Sequence, residues 1–152
     1  MKDSETLLTD LLEYHHVINQ EIIDHLHDHS EKMSEEAHDL ISHTLVAHQT
    51  WNNRIDHSCE APFTLQKIIP LNLCSQIDTQ NYQNSIKILS SKDFDKKITY
   101  KNSKGIEFTN SVTEILSHIS NHTSHHRGQL MAELKSCGIP TTSTDYIFYK
   151  RK

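Results

Sequence analysis

Apolar residues recur at three- and four-residue steps in four long stretches, and none of the four contains a proline. From about Ser4 to about His29 the stripe is Leu8, Leu11, Leu12, Ile18, Ile22 and Leu26. From about Ser34 to about His57, Leu40, Ile41, Ala47, Trp51 and Ile55 share one side. A sparser stripe, Ile77, Tyr82, Ile86 and Leu89, marks about Ser75 to Ser90. The fourth stretch, about Val112 to Cys137, carries Val112, Ile115, Leu116, Ile119, Thr123, Leu130 and Leu134. Each period is that of a helix with one face turned inward. The fourth has the clearest ends. "SVTE", Ser111 to Glu114, is a capping box, in which hydroxyl and carboxylate satisfy orphan N–H groups reciprocally. "CGIP" closes it: Gly138 is free to turn left-handed and Pro140 cannot continue a helix.

All three prolines, Pro62, Pro70 and Pro140, fall between these stretches. Cys59 to Leu73 is a long connection between the second and third helices. "ITYKNSKGIEFT" alternates Ile98, Tyr100, Ile106 and Phe108 around "NSKG", which predicts a small hairpin or an extended crossover before the last helix. No repeat, low-complexity tract or linker interrupts residues 1–152, so one all-α domain is expected, a bundle of four helices with long connections.

Charge adds mainly exclusions. The net charge is −5, with no Lys/Arg run, so nucleic acid is not an expected partner. No apolar run approaches the ~18–20 residues of a membrane span. The opening "MKDSETLLTDLLEYHH" has acids where a signal peptide needs a basic start, and a cytoplasmic protein is expected. Cys59, Cys74 and Cys137 form no CxxC or CxH pair and read as free thiols in a reducing compartment.

Histidine changes the picture most. There are 13, and the fourth stretch concentrates His118, His122, His125 and His126. At about 100° per residue, His126 and His122 fall at the rim of the buried stripe, one turn apart, while His118 and His125 turn toward solvent. Imidazoles at i and i+4 can converge on one cation. Thr123 follows His122, so the glutamate base of an HExxH protease is missing. A third ligand must come from another helix. In "LISHTLVAHQTWNNRI", His48 lies inside the apolar face and His43 at its opposite edge beside Ala47 and Arg54, so periodicity favours His48. His15, in the stripe of the first helix, is another candidate. Chance also makes HxxxH pairs at this density, such as His25 with His29, and a core or solvated role stays open for each.

Taken together, these segments resemble the DinB (DinB/YfiT-like) family. "HISNHTSHHRGQLMAELKSCGIP" is similar to its most recognisable block, and "STDYIFYKR" to its usual ending. "YHHVINQEIIDHL", with Asn19, resembles its first helix, and "LISHTLVAHQTWNNRI" its second, where a histidine stands eight positions before a tryptophan. The resemblance covers nearly the whole chain. It implies an up-and-down four-helix bundle and a divalent metal held by one histidine of the second helix and two of the fourth. By motif these are His43, His122 and His126, with His48 kept as the alternate. His118 matches a position not counted as a ligand. Arg127 is expected to pair with a carboxylate, Asp145 or Glu133, and Gly128 to permit close helix approach.

Three neutral imidazoles leave a +2 ion its charge and an open position. Zinc, nickel and ferrous iron all accept such donors. The resemblance implies a metal site more than a reaction, and a metal-dependent enzyme that transfers a small-molecule thiol to an electrophile is the first reading. A hydrolase, or a non-catalytic metal-binding stress-response protein, is the alternative. His125, Glu133 and Tyr100 are candidate bases, and no catalytic side chain is assigned. None of the three cysteines is expected to be required. A homodimer with helices at its interface is expected.

Overall fold

The computed structural model describes residues 2–65 and 67–151. It is mostly helical. Helix α1 spans Lys2–Asp28 and is followed by a 3-10 turn, Ser30–Lys32. Helix α2 spans Glu35–Ile55 and α3 Leu71–Ser90. Strands β1, Lys97–Lys101, and β2, Glu107–Ser111, precede α4, Val112–Ser136. A short helix α5, Tyr146–Lys150, closes the described chain. Helix α1 packs on α3 and α4, and α2 packs on the same two. No helix among the described residues is long and apolar enough to cross a membrane.

Local chemistry accounts for the boundaries. Ser34 caps α2 by accepting from the Ala37 N–H at 3.1 Å. The expected capping box of α4 is complete: Glu114 N–H donates to Ser111 Oγ and Ser111 N–H donates to Glu114 Oε2, at 3.1 and 2.7 Å. At its other end Gly138 adopts φ +74°. There Ile139 N–H reaches the Leu134 carbonyl and Gly138 N–H that of Lys135, at 2.9 and 3.1 Å. This pair of bonds is a Schellman closure, and it buries Ile139 against Leu134. The segment before α4 is an antiparallel hairpin, with Tyr100 opposite Phe108 and Ile98 opposite Asn110. Its turn uses Gly105 at φ +77°.

Helix α3 begins at Leu71, four residues ahead of the expected Ser75. Pro70 stands at its N-cap, where a missing N–H costs nothing. The other addition is α5, which alternation and caps in "STDYIFYKR" did not announce. It is tied to α1: Lys150 Nζ and the Tyr146 hydroxyl both donate to the Asp10 carboxylate.

The apolar interior falls into two clusters. One gathers Ile18, Ile22, Leu26, Ile41, Leu45, Ile77, Leu130 and Leu134. The other gathers Leu8, Leu12, Ile88, Leu89, Ile115, Leu116 and Ile119. Along α2, α3 and α4 the residues between the two clusters are polar and buried: His48 and Asn52, Asp78, Asn81 and Ser85, Ser120, Thr123 and Arg127. Helix α1 contributes His15 and Asn19. Every buried side-chain N or O among the described residues has a partner, as burial without one would cost roughly 1–3 kcal/mol each.

Candidate metal centre

Helix α2 carries His43 and α4 carries His122 and His126, and the packing of these two helices brings the three rings together. His43 Nε2 lies 3.3 Å from His122 Nε2, and His126 Nε2 lies 3.0 Å from that same atom. The three candidate ligand nitrogens all fall within 4.8 Å of one another. Nitrogens around a tetrahedral ion at ~2.0–2.1 Å stand roughly 3.3 Å apart, so the cluster is near ligating separations already. All three residues are half-buried, and no carboxylate or thiol joins the group among the described residues.

A neighbouring amide orients one of the three rings. His126 Nδ1 lies 2.7 Å from Gln129 Oε1. An amide oxygen only accepts, so Nδ1 carries the hydrogen and Nε2 presents a lone pair toward His122. Burial, then the neighbouring His126, His43, His118 and His125, push His122 down to about 4. Burial, then His126, hold His43 below the usual histidine range. Both rings are therefore neutral near pH 7, the state a metal requires.

The other candidates belong to the buried polar layer. His48 Nε2 lies 2.8 Å from Ser85 Oγ, whose own hydrogen goes to Asn52 Oδ1 at 2.9 Å, so His48 is the donor. Burial pushes it down to about 4. His15 Nδ1 accepts from Arg127 Nη1 at 3.1 Å, and Nε2–H then donates to Ser120 Oγ at 2.9 Å. Periodicity favoured His48 because it assumes one buried face. Helix α2 packs on both α3 and α4, and Thr44, Leu45, Val46, Ala47, His48 and Gln49 are buried in succession. His48 meets α3, and His43 meets α4.

Arg127 departs from expectation. No carboxylate lies within ion-pair distance of it among the described residues, although Asp145 is near enough to act on it electrostatically. Arg127 is buried, donates to the Tyr14 hydroxyl at 2.6 Å and to His15, and lies over the Tyr14 ring. Gly128 is exposed, and a Cβ there would meet nothing within 4 Å, so it serves no close helix approach. Gln129, for which the sequence favours a structural role over a catalytic one, holds His126 Nδ1, and its i, i+3 spacing from that ring is the signal for the contact. Of the candidate bases, Glu133 is held by Ser34 Oγ at 2.9 Å. The Tyr100 hydroxyl donates to Asn110 Oδ1 at 2.7 Å. The exposed His125 ring stands 5.0 Å from that of His126. Cys59 and Cys74 are buried, and burial raises both thiols, Cys74 to about 11.

Fold and site together define a helical protein with a three-imidazole cluster that could hold a divalent ion. The model of the DinB family matches residues 6–152, and the chain belongs to that family. Comparison with curated proteins and with solved structures returned no significant match.

Proposed function

We propose that the protein is a metal-dependent enzyme that transfers a small thiol to an electrophile, and that His43, His122 and His126 hold its divalent ion. The observation that carries this reading is the convergence of three histidine Nε2 atoms with no fourth protein ligand beside them among the described residues. When bound, the ion supplies the positive charge that keeps a thiol ionised near neutral pH, where a free thiol of pKa ~8.5 is mostly protonated. Zinc, nickel or ferrous iron suits the donor set. The chain's own residues set the geometry: Gln129 fixes the His126 tautomer, and the α2–α4 packing fixes His43 against the other two. The four long helices are read as one bundle domain with this site at its middle.

The test uses protein purified without an affinity tag. Elemental analysis is expected to find one divalent ion per chain, and assays with small thiols and electrophiles to find turnover that His122→Ala abolishes. Absence of a bound ion after growth with added metal would overturn the reading. Turnover of esters or amides without thiol would instead make it a hydrolase, and a stabilising ion without any turnover a non-catalytic metal protein.

A further inference from the structure

Beside the histidine cluster lies a cleft of about 270 Å³ lined by Trp51, Tyr100, Asn110, Glu114, Ile115 and His118. His118 joins the two places: its ring centroid is 5.4 Å from that of His122 and 5.0 Å from that of Trp51. Arg54 packs on two of the lining rings, with Cζ 4.4 Å from the Trp51 centroid and 4.7 Å from that of Tyr100. One of its N–H groups donates to the Lys101 carbonyl at 3.2 Å. No carboxylate pairs with it among the described residues. In a chain with 20 acids and 15 lysines and arginines, a half-buried guanidinium without an acid runs against the charge balance.

A guanidinium stacked on aromatic faces is held flat, weakly hydrated, and able to present its fork to two oxygens of one group. The acid in the cleft, Glu114, is already engaged by the Ser111 N–H at 2.7 Å and by Asn110 Nδ2 at 3.2 Å, at the positive end of α4. Arg54 already lies against the Trp51 and Tyr100 rings that a cationic guest would use. We propose that this cleft is the specificity subsite of the metal centre and takes a small molecule bearing an oxyanion, carboxylate or phosphate. Its apolar body would lie against Ile115 and the parts of the Trp51 and Tyr100 rings that Arg54 leaves uncovered, its acid group on Arg54, which packs on two of the lining rings without itself lining the cleft, and its reacting end past His118. The last part rests on reading the three-histidine cluster as the reacting centre.

Trp51 is the only tryptophan in the chain, so its fluorescence reports on the cleft directly. Benzoate, benzamide and benzylamine, alike in shape and different in charge, are titrated against the protein as purified and again after chelation. Benzoate is expected to change the emission saturably and to bind ~10-fold or more tighter than benzamide, with benzylamine weakest. Arg54→Gln should abolish the preference, and Arg54→Lys, which keeps the charge without the fork, should retain part of it. Equal binding of benzoate and benzamide to the wild type overturns the proposal. So does a preference for benzylamine, or a benzoate preference that survives Arg54→Gln. A benzoate preference in protein that carries no ion even after growth with added metal would fault the metal reading and leave the oxyanion pocket standing. A bound ion without the preference would fault the pocket alone.

Discussion

Gln129→Leu tests whether His126 is a pre-oriented ligand or a surface ring that happens to lie near two others. The wild-type amide accepts from His126 Nδ1 at 2.7 Å and so turns the Nε2 lone pair toward His122. Leucine is one atom shorter and removes the acceptor while keeping an apolar side chain at the same position. Partners behind a metal-bound histidine are worth roughly 10–100-fold in affinity. Gln129 is exposed, and water can take over part of its role, which places the expected loss at the lower end, about tenfold or ~1.4 kcal/mol. Gln129→Glu offers a better acceptor to the same Nδ1–H and should keep or raise affinity. The assay is competition for zinc against a chromophoric chelator, run on all three proteins at one pH. Affinity of Gln129→Leu within twofold of wild type would refute the reasoning, as would equal losses in the leucine and glutamate variants.

His126→Ala should lose most of its bound metal. His48→Ala should keep the full amount and lose about 1–3 kcal/mol of stability by chemical unfolding, because a buried ring is removed and Ser85 Oγ, still donating to Asn52, loses its donor; metal loss in His48→Ala would reverse the assignment. Stability of the metal-free protein should fall as pH drops below ~6.5, since the unfolded chain then takes up protons that folded His48 and His122 refuse until about 4 and His15 until about 3, with His122, half-buried, contributing less. His16, raised chiefly by its bond to Asp78, works in the opposite direction, stabilising at low pH and fading as pH rises. The net loss at about pH 5 should be on the order of 3 kcal/mol by urea titration, and a flat profile would refute it. Replacing Cys59, Cys74 and Cys137 together with serine should leave any turnover intact, and its disappearance with metal still bound would implicate a protein thiol. Light scattering should give twice the chain mass of 17.6 kDa, with Leu7, Ile147 and Phe148, exposed on α1 and α5, as contacts to mutate; a monomer mass would count against the dimer.

The parts legible in the sequence were those decided by neighbours along the chain. The capping box at Ser111 and Glu114, the glycine closure at Gly138 and the i, i+4 pair His122 and His126 all depend on spacing within one helix. What periodicity could not supply was the number of partners a helix has. Helix α2 packs on two others, so its apolar stripe gave no preference between His43 and His48 that matched the structure. The family motif chose His43. Arg127 was missed for a related reason: its partners, Tyr14 and His15, lie over a hundred residues away and carry no charge that would announce them. Helix α5, with five residues, was too short to show a period.

The polar layer between the two apolar clusters has a consequence for where the histidines end up. Leucine against isoleucine is forgiving. If α4 slid one turn past α1, about 5.4 Å, both clusters would find new apolar neighbours at small cost. The layer would not forgive the slide. Ser120 would leave His15, Arg127 would leave Tyr14, and each stranded group would lie in a dry interior. A single buried polar contact can fix the register of a coiled coil, and here the contacts are several and reach all four long helices. Helix α4 thus has one axial setting against its neighbours, the one that puts His122 and His126 level with His43. Residues that touch no candidate ligand nitrogen hold the ruler by which the three imidazoles are aligned.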